Sequence, residues 1–333
     1  MKMISIKEDK MSLIENLKKE IRDKQASIVF PEGNDSRVLR AAIRLKEDGD
    51  LNPIVLGNVE EIQNLASKEN VDLGKLEIID PENYEDFDAM VDAFVERRAG
   101  KATAEEAREI LKQPNYFGTM YIYMDKADGM VSGAIHTTGD TVRPALQIIK
   151  TKPGIRRVSG AFIMLREDEM LFMADCAINT DLDEDDLAEL AVVSENTARQ
   201  FGMDPKVAML SFSTKGSAKH DRVDMVRNAT EKAKELNPDM VIDGELQFDT
   251  AYVESVGAQK APDSPIKGDA NVFIFPNLEA GNIGYKMAQR LGGYEAVGPI
   301  LQGLNKPVND LSRGTSEDEV YALAIITAAQ AVL

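Results

Sequence analysis

Short apolar runs alternate along the chain with longer segments in which apolar residues recur every three or four positions. The runs are rich in β-branched and aromatic residues, and several stop at a proline or glycine, which is typical of buried strands. The predicted strands are Ser27–Phe30, Pro53–Leu56, Leu76–Ile79, Val207–Leu210, Asp239–Ile242 and Asn271–Phe275. Alternating strands and helices predict an α/β fold with mainly parallel sheets covered on both faces.

Two predicted helices carry start signals. Asp35 and Ser36 can cap a helix whose apolar positions from Val38 to Leu45 fall on one face. A last helix is predicted from Ser316 to about Ala331. Ser316 and the glutamate three residues later have the spacing of a capping box, in which the two side chains satisfy free backbone N–H groups.

One pair of runs interrupts the alternation. Val158–Leu165 and Leu171–Cys176 are joined across the polar turn Arg166–Glu169, which predicts a hairpin. The hairpin follows Lys152-Pro-Gly, so we expect a second domain at 154–303. The remaining residues, 1–153 and 304–333, then form the first domain.

Composition narrows the class of partner. The chain has 333 residues, with 39 Lys and Arg against 57 Asp and Glu, which gives a net charge of −18. This length favours two domains or one large domain. An acidic surface repels nucleic acid and anionic membranes, so neither is an expected partner.

Metal, disulfide and targeting signals are weak. The single cysteine, Cys176, cannot form an intrachain disulfide, and with His136 and His220 alone it cannot build a zinc site, so no metal site is expected. Met1 to Lys10 lacks the apolar core of a signal peptide. The apolar run Tyr321–Leu333 is interrupted and too short to span a bilayer. These features predict a soluble, cytoplasmic protein.

Candidate chemistry concentrates in polar loops at predicted strand ends, where open α/β folds place ligands. Backbone N–H groups, hydroxyls and cations in such loops can bind an anion. The four loops are residues 132–144, with Ser132, Thr137, Thr138 and Arg143; 211–219, with Ser213 and Lys215; 276–286, with Asn282; and 308–319, with Ser312, Arg313, Asp318 and Glu319.

Each loop also has a purely structural interpretation. Residues 132–144 and 308–319 contain helix caps, and Glu319 could simply complete the cap at Ser316. Residues 211–219 lack the spacing of a Walker A loop and could be a plain turn. Gly281 and Gly284 could serve close packing of a helix on a sheet rather than a ligand.

Together these loops resemble the phosphate acetyltransferase, or phosphotransacetylase, family. The resemblance runs from Phe30 to the C-terminus, with long motifs in the family order. The matching stretches are Asp128–Gly133, Asp140–Lys150, Ala208–Lys219, Gly268–Pro276 and Pro307–Gly314.

The resemblance implies reversible acetyl transfer between acetyl phosphate and coenzyme A, with release of phosphate and without a cofactor. It also implies two α/β domains facing a central cleft, an architecture like that of isocitrate and isopropylmalate dehydrogenases. The first domain would be completed by the last helix, and the second would form a homodimer. We expect the cleft to be locally positive despite the acidic total.

Residue roles follow from matching the motifs. The resemblance makes Arg313 the main ligand of acetyl phosphate and brings Ser312 against the reacting groups. Arg143 and Arg97 are secondary cationic contacts. The family usually has an aspartate as its proposed base where this chain has Glu319, and Asp318 lies one position earlier. We favour Glu319, because Asp318 should point about 100° away around the helix.

Two other activities compete with acetyl transfer. A phosphate butyryltransferase would use the same loops with a larger acyl group. A decarboxylating hydroxyacid dehydrogenase shares the two-domain architecture, but it needs an aspartate metal site and a Tyr/Lys pair, for which Tyr285 and Lys286 are the candidates. A third interpretation, a sensor that binds acetyl phosphate without turnover, predicts binding alone.

Overall fold

A computed structural model describes residues 13–333, so the prediction for Met1 to Lys10 lies outside the described residues. The strands are β1 (Ser27–Phe30), β2 (Asn52–Leu56), β3 (Glu77–Ile79), β4 (Gly129–Ser132), β5 (Ser159–Arg166), β6 (Glu169–Ala174), β7 (Val207–Leu210), β8 (Ile242–Leu246), β9 (Val272–Ile274), β10 (Glu295–Gln302) and β11 (Val308–Asp310).

Thirteen α-helices connect these strands within the described residues. They are α1 (described over 13–21), α2 (Ser36–Asp48), α3 (Val59–Glu69), α4 (Phe87–Arg98), α5 (Ala104–Leu111), α6 (Pro114–Tyr123), α7 (Thr138–Pro144), α8 (Glu184–Gln200), α9 (Asp221–Leu236), α10 (Phe248–Tyr252), α11 (Glu254–Lys260), α12 (Leu278–Gly292) and α13 (Glu317–Val332). Short 3₁₀ turns lie at Arg22–Lys24 and Pro81–Asn83, and a π-helical turn at Ala145–Ile149 follows α7.

The described chain forms two compact units. The first unit comprises residues 14–152 and 304–333, and the second unit comprises residues 153–303. The first unit contains a five-stranded sheet in the order β11-β4-β1-β2-β3, and every neighbouring pair is parallel. Ile28, Val29 and Phe30 of β1 are completely buried, as expected for a central strand covered on both faces.

The second unit contains a six-stranded sheet in the order β10-β5-β6-β9-β7-β8. The strands β6, β9, β7 and β8 run parallel, and β5 is antiparallel to both β6 and β10. The predicted hairpin is therefore confirmed as β5 and β6. Both sheets confirm the α/β class with mainly parallel strands.

One predicted strand is misplaced. The sequence predicts a strand at Asp239–Ile242, but β8 begins at Ile242 and continues to Leu246. Two acidic residues, Asp243 and Glu245, lie inside this strand and are almost completely buried. Their polarity ended the predicted strand too early, because an apolar pattern cannot reveal that a buried carboxylate has partners elsewhere in the chain.

The two passages of chain between the units run side by side. Thr151 and Leu304 form an isolated antiparallel bridge. The side-chain amide of Asn305 donates to the carbonyl oxygens of Ile149 and Thr151, at 3.1 and 2.7 Å. After this return the chain adds β11 and α13 to the first unit, where α13 packs against α2, β1 and β4.

Candidate active site

The carboxyl ends of three parallel strands meet at one edge of the first sheet. In the register, Asp310 of β11 lies beside Ser132 of β4, and Gly129 of β4 lies beside Ile28 of β1. The loops that follow these strands are therefore neighbours. Ligands of open α/β sheets bind at such an edge.

A buried glutamate organises the loop after β4. Glu32, which follows β1, is 1% exposed. Its Oε2 accepts hydrogen bonds from the backbone N–H groups of Gly133 and Ala134, at 3.0 and 2.8 Å, and its Oε1 accepts from those of Ile135 and His136, at 3.0 and 2.9 Å. Burial opposes ionisation, but these bonds and one from the His136 ring outweigh it and lower the pKa of Glu32.

His136 is oriented by the same carboxylate. Its Nδ1 lies 2.8 Å from Oε1 of Glu32, so Nδ1 carries a proton and donates it. The hydrogen bond to Glu32 raises the pKa of His136, and burial opposes this rise only in part. The side chain is 29% exposed, and no residue in 13–333 hydrogen-bonds its Nε2.

Arg37 joins the three strand-end loops. Its guanidinium pairs with Asp35 at 2.7 Å and donates to the carbonyl oxygen of Ala134 at 2.9 Å. It also donates to the carbonyl oxygens of Arg313 and Thr315, at 2.9 and 2.8 Å. The planar, multiple-donor guanidinium suits this role, which fixes the loop after β4 beside the loop after β11.

The loop after β11 presents an unpaired cation. The hydroxyl of Ser312 accepts from the backbone N–H of Gly314 at 3.3 Å, which closes a tight turn. The Arg313 side chain lies on this exposed turn, and no described residue hydrogen-bonds or pairs with its guanidinium. Arg143, in the last turn of α7, is likewise exposed and without an ion pair among residues 13–333. Both cations are free to meet an anion.

The two candidate bases make different contacts at the start of α13. Oε2 of Glu319 accepts from the Ser316 backbone N–H at 2.7 Å and from the Thr315 hydroxyl at 3.2 Å, and Ser316 caps the helix in return. Asp318 pairs instead with Arg44 at 2.8 Å. Glu319 thus completes a capping box with one oxygen, while its Oε1 makes no bond to a described residue.

Two threonines of α7, Thr138 and Thr141, lie close to the buried carboxyl group of Asp310. Thr137 caps α7, and Asp140 completes its capping box. Burial raises the pKa of Asp310 to about 6, and the nearby hydroxyls of Thr138 and Thr141 counteract this in part. Oδ1 of Asp310 is buried without a hydrogen-bond partner among the described residues.

Two predicted contacts in the first unit are engaged within the protein. Ser132 is completely buried, and its hydroxyl donates to the side-chain oxygen of Asn115 at 3.1 Å. Arg97 donates to the carbonyl oxygens of Ile148 and Ile149, at 2.6 and 3.2 Å, and so holds the turn after α7.

The polar loop of the second unit is closed by its own carboxylates. Oε1 of Glu245 accepts from the Ser213 hydroxyl at 3.0 Å and from the Gly216 N–H at 2.7 Å. Lys215 pairs with the buried Asp243 at 2.5 Å, and this pairing lowers the pKa of Asp243 against the opposing effect of burial. These hydrogen-bond donors, which could bind a phosphate, are thus already bonded to carboxylates of the protein.

Asn282 and the glycines beside it serve packing. Asn282 donates to the carbonyl oxygen of Cys176 at 3.0 Å and accepts from Lys286 at 2.7 Å. A Cβ on Gly281 would overlap the carbonyl oxygen of Asp175, and one on Gly284 would lie 3.0 Å from the Phe275 ring. The packing interpretation of both glycines is confirmed.

Comparison with known proteins decides the family. The sequence profile of the phosphate acetyl/butaryl transferase family matches residues 12–328. The chain belongs to this family. A phosphate acetyltransferase of Bacillus subtilis strain 168 is 59% identical over 320 residues, which are 96% of this chain and 99% of the relative. A phosphotransacetylase structure from Streptococcus pyogenes has 61% identity and a TM-score of 0.95, covering 96% of this chain and 98% of that chain.

Family membership makes the chain an acyltransferase, and the predicted phosphate acetyltransferase resemblance is confirmed. The dehydrogenase-like architecture is also confirmed. A Salmonella typhimurium protein assigned as a 4-hydroxythreonine-4-phosphate dehydrogenase superposes with a TM-score of 0.56 at 14% identity, over 92% of this chain and 100% of that chain. At this identity the likeness concerns the fold alone.

The two residues proposed as the Tyr/Lys pair of a dehydrogenase make other contacts in this acyltransferase. The Tyr285 ring stacks on Phe162 with centroids 4.0 Å apart, and Lys286 binds Asn282. Among residues 13–333 no cluster of three His, Cys, Asp or Glu side chains has the geometry of a metal site. No helix in the same range is long and apolar enough to cross a bilayer.

Sequence reasoning missed the residues that hold the acyltransferase loops. Three of these residues, Glu32, Arg37 and Glu245, make hydrogen bonds to residues far away in the chain. The fourth, Asp310, has a buried oxygen without a partner among the described residues. A weak signal was present, since each is a charged residue within or directly after an apolar strand or at a helix start. Such positions are seldom left to solvent alone.

Proposed function

We propose that this chain catalyses reversible transfer of an acetyl group between acetyl phosphate and coenzyme A. The observation that carries the proposal is the unpaired Arg313 guanidinium on the turn after β11, in a chain that matches the family over nearly its whole length. Arginine forks bind phosphate oxygens through charge-assisted hydrogen bonds. No cofactor is required, because both reactants are substrates.

The reaction needs a thiolate and a stabilised leaving group. The thiol of coenzyme A has an ordinary pKa of about 8.5, so a base that takes its proton increases the reactive fraction at neutral pH. The thiolate adds to the acetyl carbonyl, and phosphate is expelled. Arg313 and Arg143 stabilise the charge that develops on the phosphoryl oxygens, and the Ser312 hydroxyl contacts the reacting groups.

Glu319 is the proposed base. Its Oε1 is open, while its Oε2 is fixed by the capping box, so the carboxylate is held in one orientation. Asp318 is the weaker candidate because it already pairs with Arg44. We expect Glu319→Gln to lower kcat by about 100-fold with little change in KM, whereas Asp318→Asn should leave kcat within a few-fold. Near-normal turnover by Glu319→Gln would contradict the assignment.

We propose that the remaining predicted contact residues act indirectly, by holding the loops that contact the substrates. Thr137, Ser132 and Arg97 fix the segment that carries Thr138 and Arg143. In the second unit, Ser213, Lys215 and Asn282 fix loops that we propose to contact coenzyme A.

The activity is tested with acetyl phosphate and coenzyme A as the sole substrates, following ultraviolet absorbance of the thioester. Thioester formation without nucleotide is expected. Butyryl phosphate in a parallel assay distinguishes the acetyl from the butyryl activity, and we expect the acetyl donor to be faster. Binding without turnover would favour a sensor, and no thioester from a folded sample would overturn the proposal.

We further propose a cytoplasmic homodimer formed through the second unit. Ile283, Met287 and Leu291 recur every four positions on α12, are 57%, 54% and 81% exposed, and so form an apolar stripe. Burial of this stripe against a second copy would remove it from water. Light scattering after size exclusion should report a dimer, and Met287→Glu should shift the mass toward the monomer. An unchanged mass would exclude this stripe as the interface.

A further inference from the structure

The leaving group of the proposed reaction raises a second proton-transfer problem. Cleavage of the carbon–oxygen bond of acetyl phosphate leaves a fully deprotonated phosphate, which is a strong base and a poor leaving group. Cations lower this barrier, but a proton delivered in the transition state lowers it further. Glu319, as the proposed base, removes a proton on the thiol side and cannot at the same time supply one.

We propose that His136 is the catalytic acid that protonates the leaving phosphate, with Glu32 as its positioning residue. This proposal rests on the proposed acetyl transfer. In the reverse direction the neutral His136 takes the proton from hydrogen phosphate as phosphate attacks the thioester. The geometry that points to His136 is a buried carboxylate on Nδ1 and an open Nε2 on the other side of the ring.

Glu32 and Arg37 together fix the loop that carries the His136 ring. Glu32 binds four consecutive backbone N–H groups, from Gly133 to His136, as well as the ring, so the backbone and the imidazole are held by one carboxylate. Arg37 bonds the carbonyl oxygens of Ala134 and Arg313, at 2.9 Å each. The imidazole thus belongs to the loop that lies next to the proposed phosphate ligand.

The charges around the ring favour the protonated form. Glu32 and Asp140 face His136 and raise its pKa, while burial lowers it in part. Glu32 in turn faces the cation Arg37 and lies near Asp310. A raised pKa increases the fraction of His136 that is protonated near neutral pH, and the protonated form is the one that can act as a catalytic acid.

In the proposed step the acetyl group moves from oxygen to sulfur. The thiolate sulfur forms a bond to the acetyl carbon, and the bond from that carbon to the bridging oxygen breaks with its electron pair going to oxygen. The proton on Nε2 of His136 passes to this phosphate, which gives hydrogen phosphate and a neutral imidazole. The imidazole regains a proton from solvent, to which Glu319 releases the thiol proton, so the thiol proton is in effect transferred to phosphate.

The key variant is His136→Asn, because the asparagine amide can keep the hydrogen bond that Nδ1 makes to Glu32. We expect kcat with acetyl phosphate to fall about 100-fold, with KM within a few-fold. The matched control is His220→Asn, which changes the other histidine of the chain. His220 caps α9, and asparagine is also a good cap, so normal activity is expected.

A second donor separates a chemical role from a structural one. Methyl acetyl phosphate releases methyl phosphate, whose second pKa is about 6, so the leaving dianion needs no proton. His136→Asn should therefore lose less than about tenfold with this donor if the acid step is its defect. An equal loss with both donors, or no loss with acetyl phosphate, would overturn the proposal.

The pH profile of the reaction is an independent test of the role of His136. If the wild type does not use methyl acetyl phosphate as a donor, this test decides the proposal. Thioester formation by the wild type should decline as pH rises through the raised pKa of His136, and His136→Asn should lack this decline. A basic limb that persists unchanged in the variant contradicts the proposal. Inactivity of the wild type would instead refute the acetyl transfer, so the two failures are distinguishable.

Discussion

Each unit places a buried glutamate beneath a polar loop, but the two loops differ in what they leave open. In the first unit, Glu32 binds the backbone of residues 133–136 and leaves Nε2 of His136 without a hydrogen-bond partner among residues 13–333. In the second unit, Glu245 accepts the hydrogen bond of the Ser213 hydroxyl, and Asp243 forms an ion pair with Lys215.

The comparison shows why loop composition alone overestimates anion sites. Residues 132–144 and 211–219 have similar contents of glycine, hydroxyls and cations. A carboxylate of the chain itself can occupy the place that such a loop offers to phosphate, as Glu245 does. The useful criterion is which donors remain without partners, and by this criterion the first unit is the better candidate for phosphate binding.

The largest expected effect follows from removing Arg313, one of the two unpaired cations described in the first unit. Arg313→Gln should lower kcat/KM for acetyl phosphate by about 10²–10³, since the guanidinium acts where charge develops. The control is Arg290→Gln, an exposed arginine on α12 in the second unit, for which no change is expected. Steady-state kinetics measure both, and equal effects would remove the proposed difference between the units.

The two buried glutamates should differ in how much each stabilises the protein. Glu32→Gln should lower the free energy of unfolding by at least about 3 kcal/mol, because an amide N–H₂ would face donors that now bind a carboxylate. Glu245→Gln should cost about 1–2 kcal/mol, since fewer donors converge on it. Urea unfolding of both variants gives the ranking, and a larger loss from Glu245→Gln would reverse it.

A smaller effect is expected at the buried acid of the first sheet. The pKa of Asp310 is raised to about 6, against about 3.9 in an unfolded chain, so the native state favours the neutral acid. Its contribution to stability is full below about pH 4 and is lost as pH rises through about 6.

Asp310→Asn removes this loss. The variant should gain about 2–3 kcal/mol relative to wild type between pH 4 and pH 7. Urea unfolding of the two proteins at both pH values measures the change in their difference. A difference that does not vary with pH would show that Asp310 is ionised in the native state throughout this range.

The smallest effect is expected for the paired lysine of the second unit. Lys215→Met removes the nearer cation of Asp243, but Lys234 stays 3.9 Å from the same carboxylate, and the lost pair is partly exposed on the lysine side. The expected loss of stability is about 1 kcal/mol, with kcat/KM affected much less than by Arg313→Gln. A loss of activity as large as that of Arg313→Gln would show that the second loop opens to bind phosphate.

The sequence predicted most of the strands because their cores are continuous and apolar. Ser27–Phe30 and Val207–Leu210 have the predicted bounds. It failed at β8, where Asp243 and Glu245 break the apolar run, and it did not predict β10, where glycine and proline interrupt the strand. The short strands β4 and β11 were not predicted either. Local patterns record burial only when the buried residues are apolar.

The candidate site was predictable to the same limited degree. The loops with Arg143 and Arg313 were found from their composition, and the cap at Ser316 was found from its spacing. The roles of Glu32 and Arg37 depend on partners about 100 and 280 residues away, which no window of sequence contains. The contact between His136 and Glu32 is hidden for the same reason, because the two residues follow different strands.

The adjoining passages at Thr151 and Leu304 bear on how the chain is assembled. Residues paired in an antiparallel bridge lie about 5 Å apart, a gap that a two-residue turn can span. The whole segment 153–303 can therefore be regarded as an insertion at the position of one hairpin turn. A shortened chain that joins residue 151 to residue 304 through Asn-Gly would retain every strand of the first sheet, and its folding would measure how far the first unit is autonomous.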